Sequence, residues 1–154
     1  MRLLLAFCLL ATPALAESPR DALFPSDASC YLRHYTGAHL AKHPNQLVTD
    51  IAIGPEPGSF EADVLVVRMQ VSLRDHPEIL QTAAYCENTG GTLSCGLEGD
   101  GGWFQMERTP KGARVMVGRD GLFFEGARGF VHIGGGDSDD DVFLMPPVPA
   151  DSCP

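Results

Sequence analysis

The chain has 154 residues, 20 of them acidic against 11 basic, and a net charge of −9 with its histidines neutral. Affinity for nucleic-acid phosphates comes from clustered Lys and Arg, so this balance excludes a duplex-binding role, and an anionic membrane surface would repel the chain. Small molecules and cationic proteins are left as partners, with divalent cations as the ions it would attract.

Read from its first residue, the chain opens on the positive Met1-Arg2, continues with an apolar run over 3–10, and reaches Ala14-Leu15-Ala16, the small-x-small pattern after which signal peptidase cuts. The run is far shorter than the ~20 apolar residues that cross a bilayer. Residues 1–16 are therefore expected to be a Sec signal peptide, with no membrane span, and the protein to be periplasmic or secreted. Residues 17–28 follow as a loosely held arm, and 29–154 as a single domain.

Cleavage after Ala16 removes Cys8 and leaves Cys30, Cys86, Cys95 and Cys153. An even number of cysteines in an exported chain reads as disulfides. Gly90-Gly91 suits a two-residue hairpin loop, because glycine tolerates positive φ. Such a loop pairs Thr89 with Thr92 and, three residues further out, Cys86 with Cys95. Cys30 and Cys153 then tie the start of the domain to its end. Zinc is the weaker reading of these thiols, since there is no Cys-x-x-Cys pair.

Past the arm, 29–35 reads as a strand and 36–43 as one short helix, capped by Thr36 and ended by Pro44. The period then becomes two. Leu47, Thr49, Ile51 and Ile53 share one face. In 63–74, Leu65, Val67, Met69, Val71 and Leu73 point one way, and Arg68, Gln70 and Ser72 the other, as in a half-buried antiparallel strand. Strands follow over 79–87, 92–98, 103–109, 113–117, 122–125, 129–133 and 142–145, separated by turns at 75–77, 99–102, 110–112 and 120–121. Phe104 and Met106 read as core, with Trp103 on the opposite face. Nine or ten short strands make the fold all-β, expected as an antiparallel barrel with a β-sandwich as the alternative.

The stretch Tyr85-Cys86-Glu87-Asn88-Thr89-Gly90-Gly91-Thr92-Leu93-Ser94-Cys95, then Glu98-Gly99-Asp100-Gly101-Gly102-Trp103-Phe104, then Asp140-Asp141-Val142-Phe143-Leu144, resembles a set of small secreted bacterial proteins. The likeness covers roughly the C-terminal two thirds and implies no activity, because those proteins have none assigned.

Two clusters carry metal-ligand chemistry. Asp137, Asp139 and Asp141, with Asp140 between them, follow three glycines. Carboxylates on a pliant loop are what a hard cation such as Ca²⁺ requires; beyond that candidate Ca²⁺ site no cofactor is expected. The loop is not an EF-hand, since Val142 stands where glycine is needed and Val148 where the closing glutamate belongs. His39 and His43, four apart on the short helix with His34 nearby, form the second cluster; Leu40 stands where a zincin has glutamate. No catalytic residue emerges. There is no Gly-x-Ser-x-Gly elbow, and the disulfides leave no free thiol. Asp100, within the glycines of 99–102, has room to approach a ligand.

The sequence thus points to an exported β-module that binds a small molecule or a protein partner. One alternative is an acidic inhibitor of a cationic secreted or cell-wall enzyme, and another is an enzyme with a carboxylate or metal site.

Overall fold

A computed structural model describes residues 18–59, 64–136 and 138–153. The proposed signal segment 1–16 and Asp137 lie outside the described residues. The described residues form ten strands: β1 Cys30–His34, β2 Val48–Pro55, β3 Leu65–Leu73, β4 Ile79–Thr89, β5 Thr92–Leu97, β6 Gly102–Thr109, β7 Gly112–Gly126, β8 Gly129–Ile133, β9 Val142–Met145 and β10 Pro147–Val148. Two short helices, α1 Pro19–Leu23 and α2 Gly37–Leu40, and a 3₁₀ turn at Ala150–Ser152 complete the elements of the described residues.

Every ladder is antiparallel, as the period-two pattern requires. Neighbours run β10-β1-β2-β3-β4-β5-β6-β7-β8, and β9 also pairs with β7. The sheet does not close through one continuous ladder. Instead the segment carrying β9 and β10 changes partner at Pro146. Before it, β9 pairs with Ala113–Met116 of β7; after it, β10 pairs with Cys30 and Tyr31, and Leu32 N–H donates to the Pro146 carbonyl at 3.2 Å. Proline cannot donate to a ladder, so the changeover falls where an amide is missing in any case.

The clearest strand behaves as its sequence dictates. Leu65, Val67 and Met69 are fully buried, Val71 and Leu73 nearly so, and the intervening residues are half-buried. Phe24, Phe104, Phe124 and Phe143 join Met69 and Met106 in one buried core. Both expected disulfides are present. Cys86 and Cys95 are register partners with Cα atoms 4.0 Å apart, and Cys30–Cys153 joins residues 123 apart in sequence at a Cα separation of 5.9 Å. Disulfides of this kind persist in oxidising compartments. Among the described residues, no helix is long and apolar enough to cross a membrane.

Four expectations need correction. The arm is not loose: Ser18 caps α1, Leu23 and Phe24 are fully buried, Phe24 meets Tyr31 edge-on at 5.6 Å, and the Tyr31 hydroxyl donates to the Leu23 carbonyl. The helical segment at 36–43 is only four residues of helix, because after Leu40 the backbone tightens and Lys42 N–H bonds to His39 O. Leu47 does not share the face of Ile51 and Ile53. The register shifts between Val48 and Asp50, so Val48 is fully buried and Leu47 is 42% exposed. Finally, 113–117 and 122–125 belong to one strand. β7 bends at Asp120-Gly121 without ending, and exchanges β9 for β8 along the same edge.

Candidate functional site

The acidic loop is a structural clasp. Asp140 is fully buried; its Oδ2 accepts the Leu47 N–H at 2.6 Å and its Oδ1 the Val48 N–H at 3.2 Å. Asp141 Oδ1 accepts from Gly135 N–H at 2.6 Å, and Asp139 Oδ2 from Asn45 N–H at 3.2 Å. The three carboxylates thus serve two backbone segments, 45–48 and Gly135. Burial holds the Asp140 carboxyl above the usual carboxylate range; the Leu47 and Val48 amides and Arg74 pull it down, and Asp139 pushes it up.

The histidines come together without forming a ligand set. The rings of His39 and His43 stack at 4.3 Å and 19°, and His39 stacks in turn on Tyr35 at 4.8 Å. Nitrogen lone pairs lie in the ring planes, so two nearly parallel imidazoles cannot both aim at one cation. His39 Nε2 donates to the side-chain oxygen of Gln46 at 3.0 Å, and His34 pairs with Asp50 at 2.6 Å. Asp139 reaches the rim of the same cleft, of about 170 Å³, as His39 and His43. Among the described residues no three His, Cys, Asp or Glu side chains are placed to hold a metal.

A different arrangement emerges where the turn between β5 and β6 meets the β7–β8 hairpin. Gly102 lies so close to the bend of β7 that a Cβ there would sit 2.3 Å from the Gly121 carbonyl oxygen. Only glycine permits this approach. It lets Phe123 N–H reach Gly101 O at 2.9 Å, and so leaves Glu98 and Asp100 beside Phe123. The hairpin is fixed at its tip as well, where Ala127 N–H bonds to both oxygens of Glu78 at 3.2 Å. Between these ties opens a cleft of about 620 Å³, floored by Gln81 and Thr82 of β4 and walled by Glu98, Asp100, Phe123, Glu125 and Phe130.

The cleft's chemistry is acidic and aromatic. Glu98, Asp100 and Glu125 are exposed, and none of the described lining residues is Lys, Arg or His. Glu125 and Phe130 are direct cross-strand partners; Phe130 is 79% exposed and Phe123 40%. The Phe123 ring is backed by His132, stacked at 4.5 Å, whose Nε2 donates to Asp120 O at 2.9 Å. Exposed aromatic faces beside carboxylates with no ion pair among the described residues can receive an ammonium or guanidinium group by cation–π contact and charge together.

Of the residues singled out in the sequence, only Asp100 lines this cleft. Trp103 is 45% exposed but lies over the backbone of Gly118, as packing. Phe123, Glu125 and Phe130 went unmarked, although Phe123 and Phe130 break the polar face of their strands, a signal readable from the alternation with Leu122 and Phe124. No protein-family model, curated protein or solved structure matches the chain.

Proposed function

We propose that this protein is an exported binding module that docks a cationic segment of a partner protein in the cleft of Glu98, Asp100, Phe123, Glu125 and Phe130. One observation carries the reading: three carboxylates and two exposed phenyl rings share one cleft, with no cation among the described lining residues to neutralise it. The cleft lies on the outside of the sheet, apart from the buried core. The ties at Gly101–Phe123 and Glu78–Ala127 hold the walls in place beforehand, which lowers the ordering cost of association. The two disulfides and the signal-like segment 1–16 support a periplasmic or secreted location.

A basic secreted or cell-wall enzyme is the partner this chemistry suits best, with the protein acting as its inhibitor or carrier. The test is capture from a periplasmic or culture extract by the wild type and by a Glu98→Gln, Glu125→Gln, Phe130→Ala variant. Basic proteins retained by the wild type and lost by the variant support the reading; equal retention by both removes it.

A further inference from the structure

At the other end of β6, beyond Thr109, a second cleft of about 480 Å³ has the opposite chemistry. Its accessible apolar surface is Leu144, 55% exposed, and the exposed Pro146, while Ala113 and Met145 beneath them are buried in the core. Three cations surround it: Arg33 from β1, Lys111 from the β6–β7 turn and Arg114 from β7. In a chain with 20 acidic residues and 11 basic ones, no carboxylate is found among the described lining residues.

The chain's own contacts engage two of the three cations and leave Lys111 without an ion pair among the described residues. Arg114 is bonded to Glu107 at 2.8 Å. Arg33 lies over the Tyr35 ring, 5.2 Å from its centroid, and its Nε is buried with no hydrogen-bond partner among the described residues. Lys111 is held at the rim by the turn geometry. A Cβ on Gly112 would stand 2.2 Å from the Met145 carbonyl oxygen, so the turn presses directly on the junction of β9 and β10. The cleft also sits beside the seam where β1 and the β9–β10 segment meet without a continuous ladder.

We propose that this cleft binds a small amphiphilic anion: an apolar chain lying on Leu144 and Pro146, with a terminal carboxylate among Arg33, Lys111 and Arg114. The site is separate from the acidic cleft and stands independently of the function proposed for it. Charge complementarity selects the carboxylate, and the apolar floor selects the chain over a bare inorganic anion.

The experiment is a titration of the intact protein with octanoate, 1-octanol and octylammonium, followed by amide chemical shifts. Octanoate should move the amides of Thr109, Lys111, Ala113, Arg114, Leu144 and Met145, and octylammonium should leave them in place. Lys111→Glu and Leu144→Asp, both at exposed positions, should each weaken octanoate about tenfold, Lys111→Glu through lost charge and Leu144→Asp through lost apolar contact. Unchanged melting temperatures would show that these variants fold, and if Leu144→Asp does not fold, Lys111→Glu decides alone. Absence of octanoate binding, equal binding of octanol, or full affinity in Lys111→Glu would overturn the proposal.

Discussion

Asp140 and Leu47 are joined by a 2.6 Å hydrogen bond that spans 93 residues of chain, and the second oxygen of the same carboxylate holds Val48. The acidic loop thereby fastens the entry to β2 beside the shift in register that buries Val48 and exposes Leu47. Asp140→Ala leaves two backbone N–H groups without a partner and should cost about 2 to 4 kcal/mol, read from urea unfolding. The pH dependence has a definite sign. Because burial raises the folded-state pKa of Asp140, its contribution is fully present below the ordinary carboxylate range and is lost as pH rises through the raised value. The stability advantage of the wild type over Asp140→Asn should therefore shrink as pH rises across that interval. An advantage that grows would show that the amide bonds outweigh desolvation.

The two disulfides should contribute unequally. Cys30–Cys153 closes 123 residues and Cys86–Cys95 closes nine. On a chain-entropy account, replacing the first pair by serine should cost about 4 to 5 kcal/mol and the second about 2 to 3. Unfolding midpoints of the two double variants check the order.

On β3, Met69→Asp buries an unpaired charge in a fully enclosed position and should cost more than about 4 kcal/mol, enough to unfold the domain. Its neighbour Arg68 makes a two-point pair with Glu56, at 2.9 and 2.6 Å, on a partly exposed face. Arg68→Asp should cost only about 1 kcal/mol. Circular dichroism melts separate the two outcomes.

The arm should behave as part of the core. Phe24→Ala empties a fully buried ring site and should cost about 3 to 5 kcal/mol. Tyr31→Phe removes the bond to the Leu23 carbonyl and should cost about 1 kcal/mol. In both variants the amides of Ala22 and Phe24, bonded to Ser18 O and Arg20 O, should exchange faster with solvent.

Features set by short-range pattern were legible in the sequence. The alternation from Leu65 to Leu73 shows the buried face directly, and a two-residue loop at Gly90-Gly91 leaves Cys86 opposite Cys95. Features set by distant partners were not. Nothing near Leu47 announces the bulge that moves Val48 inward, and nothing near Asp140 names the two amides it holds. Leu23 and Phe24 lack periodicity because they stand at the end of a five-residue helix and just past it, where both meet Tyr31. The acidic cleft draws on β4, the β5–β6 turn and the β7–β8 hairpin, so only its members were visible, and only Asp100 stood out.

The most direct test of the proposed function is an amide chemical-shift titration of the intact protein with a short lysine-rich peptide, repeated with raised salt and with Glu98→Gln, Glu125→Gln. Shifts should centre on Gln81, Thr82, Glu98, Asp100, Gly101, Phe123, Glu125 and Phe130, and should weaken both with salt and in the variant. Shifts spread evenly over all acidic surfaces, or unchanged by the two substitutions, would contradict the assignment of function to this cleft.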